Sequence, residues 1–156
     1  MRAVNIVIVG CGRVGAWLAR KFDGEGHRVS IVDMSASAFH RLGEEFGGDM
    51  VVGTGLDETV LKRAGVEQAD AFVSVTNGDN RNIMCAEMAQ VLFKVPRVMA
   101  RIYDPVRAET YRELGLETLC STSIAGGIIT DFFATGTNRA RELEESTADV
   151  GTGDGS

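Results

Sequence analysis

Short apolar runs alternate along the chain with amphipathic stretches. Residues 4–9 (VNIVIV), 29–32 (VSIV), 50–52 (MVV), 71–75 (AFVSV), 97–102 (RVMARI) and 116–120 (LETLC) read as strands. Several are apolar at consecutive positions, the mark of parallel strands buried on both faces. Between them, residues 13–22, 35–46, 57–65, 80–93, 105–115 and 123–133 carry helical spacing. Phe39, Leu42 and Phe46 make one apolar stripe, and Val60, Leu61 and Ala64 another. Ile83, Met84, Met88, Val91 and Leu92 make a third. Ser35 and Ser123 stand where caps belong, Asp57 and Pro105 open helices, and Gly65 and Gly115 end them. Strict alternation predicts an α/β fold: a Rossmann-like, doubly wound parallel sheet of six strands with helices on both faces.

The last of these helices carries Ile124, Ile128, Ile129, Phe132 and Phe133 at i, i+4, i+5, i+8 and i+9. Such a stripe either covers its own sheet or packs against a second subunit. From Ala134 onward, small, polar and acidic residues dominate. The expected division is a folded domain over 1–133 and a polar acidic tail over 134–156, helical for at most two turns within 138–145 and disordered at its end.

The first strand runs into Gly10, Gly12 and Gly15, spaced G-x-G-x-x-G, and a helix follows. In that context each glycine has a task. Gly10 permits the turn, Gly12 leaves room for a pyrophosphate, and Gly15 lets helix and sheet approach. Cys11, Arg13 and Val14 fill the rest of the loop. The second strand ends in Asp33, followed by Met34, 18 residues after Gly15. A carboxylate there accepts hydrogen bonds from ribose hydroxyls and disfavours a 2′-phosphate. The implied ligand is NAD(H) or an adenine ribonucleotide rather than NADP.

Composition narrows the partners. The 156 residues suit a single domain, and 16 Lys+Arg against 22 Asp+Glu leave a net charge of −6. That disfavours nucleic acid and anionic membrane surfaces. No apolar run nears the ~20 residues of a membrane span, and Met1 leads almost directly into a strand, so no signal peptide is expected. Cys11, Cys85 and Cys120 are odd in number and lack C-x-x-C spacing, as expected of reduced cytosolic thiols. His27 and His40 have no metal-ligand companions and read as surface residues, so the sequence supports no metal.

The segments GCGRVG, IVD, VVGTGLDETVLKRAG, AFVSVTNGDNRNIMCAEMA, VMARIYDP and LGLETLCS, taken together, resemble the regulator-of-potassium-conductance family, whose first domain is the TrkA N-terminal or KTN domain. The likeness covers residues 4–133. It implies a cytoplasmic regulatory subunit that binds NAD(H), ADP, ATP or AMP and gates a membrane potassium channel or transporter. It also implies a homo-oligomer, a dimer that can stack into a ring, held peripherally at the inner face of the membrane by its channel partner. By the same resemblance Gly10, Gly12 and Gly15 form the phosphate loop and Asp33 holds the ribose. Arg13 lies near the distal phosphate or a neighbouring subunit. Thr54, Gly55 and Asp57 follow the third strand, and the adenine contact falls to Thr54 or to backbone. Thr76, Asn77 and Gly78 line the crevice, with Arg101 near the same edge. Where some relatives carry Pro-Glu and bind a metal, this chain has Thr122-Ser123, so a metal-assisted ATP switch is not implied. The family's C-terminal ligand-binding domain is not recognised after Phe133, which fits a one-domain subunit or a truncated one; a one-domain subunit would need a second regulatory protein.

Two other readings use the same fold. An NAD-dependent oxidoreductase needs an acid–base group, yet Tyr103 is followed four on by Arg107 and Tyr111 by Gly115, so no Tyr-x-x-x-Lys pair exists. A redox sensor would use Cys11, beside a helix N-terminus and Arg13; packing is the favoured role for this thiol and for Cys85 and Cys120.

Overall fold

The computed structural model describes residues 2–148. Six strands, β1 (Asn5–Val9), β2 (Arg28–Asp33), β3 (Asp49–Val52), β4 (Ala71–Ser74), β5 (Arg97–Arg101) and β6 (Glu117–Leu119), form one parallel sheet in the order β3-β2-β1-β4-β5-β6. The order reverses between β1 and β4. In a doubly wound sheet this opens a crevice at the carboxyl ends of those two strands.

Alternation along β1 sorts the core into two layers. Ile6 and Ile8 face α1 (Arg13–Gly24) and the 3₁₀ turn Ala36–Leu42, together with Ala16, Ala19, Val29, Ile31 and Leu42. Val7 and Val9 face α2 (Glu58–Arg63) and α3 (Asp79–Glu87), among Leu61, Phe72, Ala86 and Ala100. The next helix, α4 (Pro105–Glu113), packs on that second side through Ala108 beside Ile83 and Ile102.

Several boundaries differ from the expected ones. The helix expected over 35–46 is a 3₁₀ turn that ends at Leu42, where Gly43 leaves helical space at φ 76°, and the Ser35 side chain bonds Ser37 Oγ instead of capping. The helix beginning near Asn80 becomes a π-helical turn over Met88–Leu92 before Lys94 ends it at φ 56°. The next one, α5 (Ser121–Thr135), starts ahead of Ser123. Cys120 occupies the cap position, and its sulfur accepts from the Ser123 amide at 3.5 Å. His27 is not a free surface group: it packs edge-on against Phe22, and its Nδ1 accepts from the Val4 amide at 3.3 Å.

The apolar stripe of α5 does not cover its own sheet. Ile124, Ile129, Phe132 and Phe133 are all exposed, Phe133 at 82%. Correspondingly, the α1 side of β4, β5 and β6 is an open apolar groove of about 690 Å³ floored by Val73, Met99 and Leu119. Beyond Gly136, α6 (Arg139–Ala148) is a ten-residue helix, longer than the turn or two expected, and Arg139 pairs with Asp131 of α5 at 3.2 Å. The expected disorder of the final residues falls outside the described residues.

Candidate functional site

A cleft of about 780 Å³ opens at the point where the strand order reverses. Its floor is Val9, Gly10, Cys11 and Gly12; Asp33, Met34 and Gly55 lie on the β2–β3 side, and Thr76, Asn77 and Arg101 on the β4–β5 side. The glycine loop is built as its spacing demands. Gly10 sits at φ 108°, against the Val75 and Thr76 backbone. A Cβ on Gly15 would lie 1.7 Å from the Gly10 carbonyl oxygen, so only glycine lets α1 start this close to β1. Gly12, by contrast, faces open space, the room a phosphate needs.

Asp33 is pre-positioned. One carboxylate oxygen accepts the Cys11 amide and the other the Ser35 amide, both at 2.8 Å. Each oxygen keeps a second lone pair for a ribose hydroxyl. On the far wall, Asn82 is fully buried and uses its whole amide. Its Oδ1 accepts from the Thr76 amide at 2.9 Å and the Thr76 hydroxyl at 2.6 Å. Its Nδ2 donates to the carbonyls of Thr76 at 3.0 Å and Arg101 at 2.8 Å. This one side chain ties the end of β4 to the end of β5. Arg101 adds to the tie by donating to the Val75 and Thr76 carbonyls, both at 2.9 Å. Its Nε is buried without a partner among the described residues, and the guanidinium stacks on Tyr103 at 4.9 Å.

Among the described residues the lining carries three guanidinium groups, Arg41, Arg81 and Arg101, and a single carboxylate, Asp33. A locally cationic cleft in a chain of net charge −6 fits a polyanionic ligand. Volume, open glycine floor, a carboxylate with free lone pairs and excess positive charge together fit a dinucleotide or nucleoside phosphate.

Of the residues singled out in the sequence, Gly10, Cys11, Gly12, Asp33, Met34, Gly55, Thr76, Asn77 and Arg101 line the cleft. The others stand around it. Arg13 is exposed on the first turn of α1, Val14 lines the apolar groove, and Gly15 is buried beneath the loop. Thr54 accepts from the Leu56 amide at 3.2 Å, and Asp57 caps α2 through the Thr59 amide at 2.8 Å. Gly78 precedes α3 as its cap. Sequence reasoning missed Ser35, Ser37, Ala38, His40 and Arg41, which form the wall beyond Asp33, and Arg81 and Asn82 on α3. The clue to Asn82 was a polar residue immediately before the apolar Ile83 of the α3 stripe. Arg41 has a shorter-range clue, as a cation on the stretch that follows the ribose acid.

Cys11 enters the site through its backbone, while its thiol is buried and donates to the Ala38 carbonyl at 3.3 Å. Burial first, then the Asp33 charge, push this thiol from 9.0 up to about 11, and Arg41 only partly opposes them. The sensor reading required a lowered value, and the helix N-terminus does not provide it. Native protein therefore holds a proton that the unfolded chain releases near pH 9. The stability this confers is complete below pH 9 and is lost as pH rises toward about 11. At neutral pH, iodoacetamide should modify native Cys11 at least tenfold more slowly than a free cysteine. Peptide mass spectrometry after timed quenching reads this rate, and labelling as fast as glutathione would revive the sensor.

Comparison with known proteins agrees with this architecture. The TrkA-N domain family model matches residues 6–122. The Trk system potassium uptake protein TrkA of Streptomyces coelicolor is 48% identical over 118 residues, covering 76% of this chain and 53% of that protein. The chain thus spans about half the length of that relative. Among solved structures, the TrkA-N domain of the Escherichia coli inner membrane protein ybaL superposes with a TM-score of 0.71 at 19% identity, over 84% of this chain and 97% of that one. The GsuK channel bound to NAD gives 0.66 at 25% identity, over 80% of this chain and 23% of that one. GsuK bound to ADP gives 0.64 at 26%, over 79% and 32%.

Proposed function

The chain belongs to the TrkA-N family, and from that premise we propose that it is a nucleotide-binding regulatory subunit of a potassium channel or transporter, working at the cytoplasmic face of the membrane. The ligand is an adenine nucleotide, NAD(H) or ADP, ATP or AMP. The observation that carries the reading is the cleft at the strand reversal, where an open glycine floor, the Asp33 carboxylate and three guanidinium groups converge. The Streptomyces relative's role in potassium uptake and the NAD and ADP complexes of GsuK support it.

Regulation needs no chemistry. A nucleotide that binds one arrangement of the subunits tenfold better than another biases them by about 1.4 kcal/mol per site. Two groups of the cleft that could serve an oxidoreductase are already engaged: the Cys11 thiol donates to the Ala38 carbonyl, and the Asp33 carboxylate accepts the Cys11 and Ser35 amides.

Thermal unfolding with NAD⁺, NADH, AMP, ADP, ATP and NADPH tests the ligand class. A ligand at 100 times its Kd adds about 2.7 kcal/mol, a rise in Tm of roughly 5–10 °C for a domain of this size. The rise should occur with at least one of these adenine ligands and vanish in Asp33→Ala. An equal rise in that variant removes Asp33 from the site.

The bare stripe of α5 and the open groove on the sheet support assembly as a homo-oligomer. Phe133→Glu with Ile129→Glu should convert a dimer to a monomer in light scattering without lowering the helix content. A wild-type monomer at 100 μM, a concentration at which a dimer with a Kd of about 10 μM or tighter is largely formed, contradicts this assembly.

A further inference from the structure

Two of the three cationic side chains in the cleft are already committed. Arg41 reaches the Cys11 carbonyl at 3.3 Å, and Arg101 holds the Val75 and Thr76 carbonyls. Arg81 differs. It is the third residue of α3, half-buried, and lines the same cleft. Among the described residues its side chain has neither a hydrogen bond nor an ion pair, although the groups around it do. Asp79 accepts the Tyr103 and Asp104 amides, at 2.8 and 3.2 Å, and lies 3.9 Å from Arg107. Asn80 is bonded to Arg107. Asp33, the lining's sole carboxylate, is occupied by the Cys11 and Ser35 amides.

The Arg81 charge lies near Cys85, where it opposes the effect of burial on that thiol. A Cβ added to Gly55 would come within 2.8 Å of the same sulfur. Arg81 stands one helical turn before Cys85 on α3 and lines the cleft together with Gly55. Its guanidinium nitrogens stay open to the water of the cleft and meet no anion among the described residues, so the charge is available to a ligand. A phosphate supplies the missing charge, and a guanidinium matches two of its oxygens at once.

We propose that Arg81 is the specificity-determining residue that reads the phosphate charge of the bound nucleotide, favouring ligands with two or more phosphates over a monophosphate or a bare nucleoside. The inference rests on the nucleotide reading above and names the residue that selects among its ligands. It differs from the loop arginine, Arg13, which the helix leaves exposed outside the cleft lining.

Calorimetric titrations of adenosine, AMP and ADP into the whole chain test it, on wild type, Arg81→Gln, Arg81→Lys and Arg13→Gln. Losing a charge-assisted pair with phosphate should weaken ADP binding in Arg81→Gln by about 10- to 100-fold, while adenosine changes less than about twofold. Arg81→Lys should fall between, and the salt dependence of ADP binding should flatten in Arg81→Gln. Ligand-free Arg81→Gln should melt no lower than wild type, since it loses an unpaired cation. Equal weakening of ADP and adenosine overturns the proposal, because that marks a structural role. So does an unchanged preference for ADP, or a preference lost in Arg13→Gln instead. If wild type binds none of the three, nor NAD⁺, NADH or ATP titrated alongside them, the nucleotide reading itself falls and this inference with it. If wild type and Arg81→Gln bind all three alike, only the assignment of Arg81 falls.

Discussion

Replacing Gly15 with alanine should destabilise the domain by about 3 kcal/mol, lowering Tm by roughly 10 °C. The added methyl would lie 1.7 Å from the Gly10 carbonyl oxygen and 3.4 Å from Val75 Cγ2. The first of these is backbone at the end of β1, so it has no rotamer to escape into. Relief requires α1 to lift from the sheet, which unpacks Ala16 and Ala19 from Ile8 and Ile31. Nucleotide affinity should fall with stability, because the phosphate loop moves with the helix. Gly12→Ala is the matched comparison. Gly12 has extended backbone that alanine adopts readily, and its Cβ would meet nothing within 4 Å. That variant should melt like wild type and lose affinity alone, since the methyl stands where a phosphate would come. Urea unfolding and a binding titration on both variants separate the two effects; a Gly15→Ala domain as stable as wild type would refute the close contact.

Asn82→Ala should cost as much or more, about 3–4 kcal/mol. Four hydrogen bonds disappear, and the Thr76 amide and the Thr76 and Arg101 carbonyls lose their partner in a buried place. Arg101 still holds the Thr76 carbonyl, which limits the loss. Asn82→Asp keeps the shape and exposes the cause. Its second oxygen would face two carbonyls, so an ionised carboxylate is repelled and a protonated one can donate. Asn82→Asp should therefore gain stability as pH falls from 7 to 5, a trend opposite to that of a carboxylate ion-paired in the native state. A urea unfolding free energy for Asn82→Ala within about 0.5 kcal/mol of wild type would remove Asn82 as the tie between β4 and β5.

The fold was legible because its signals are local and redundant. The apolar runs of β1, β2 and β4 need burial on both faces, and the helices between them leave parallel pairing as the outcome. The glycine loop was legible for a similar reason: strand, G-x-G-x-x-G, helix and acid come in order within one βαβ unit. What sequence reading missed depends on contacts between distant segments. Arg41 is tied to the cleft by its bond to the Cys11 carbonyl, 30 residues away in the sequence. Asn82 looks like an ordinary helix residue until its Nδ2 meets the Arg101 carbonyl, 19 residues away. Thr54 and Asp57 went the other way. Residues chosen for ligand chemistry are bonded to backbone amides two residues ahead, as turn and cap. The α5 stripe stayed ambiguous because periodicity records that a face is apolar and not what it meets.

The location of the ligand is the centre of this account, and amide NMR on ¹⁵N-labelled protein titrated with ADP and with NAD⁺ tests it most directly. The account predicts saturable shifts in Gly10, Cys11 and Gly12, in Asp33 to Ser35, in Thr76 to Gly78 and in the first turn of α3, with the groove residues Val73 and Met99 unmoved. Shifts confined to that groove or to α5, or no shifts with either nucleotide in protein shown by mass spectrometry to carry none, would contradict it.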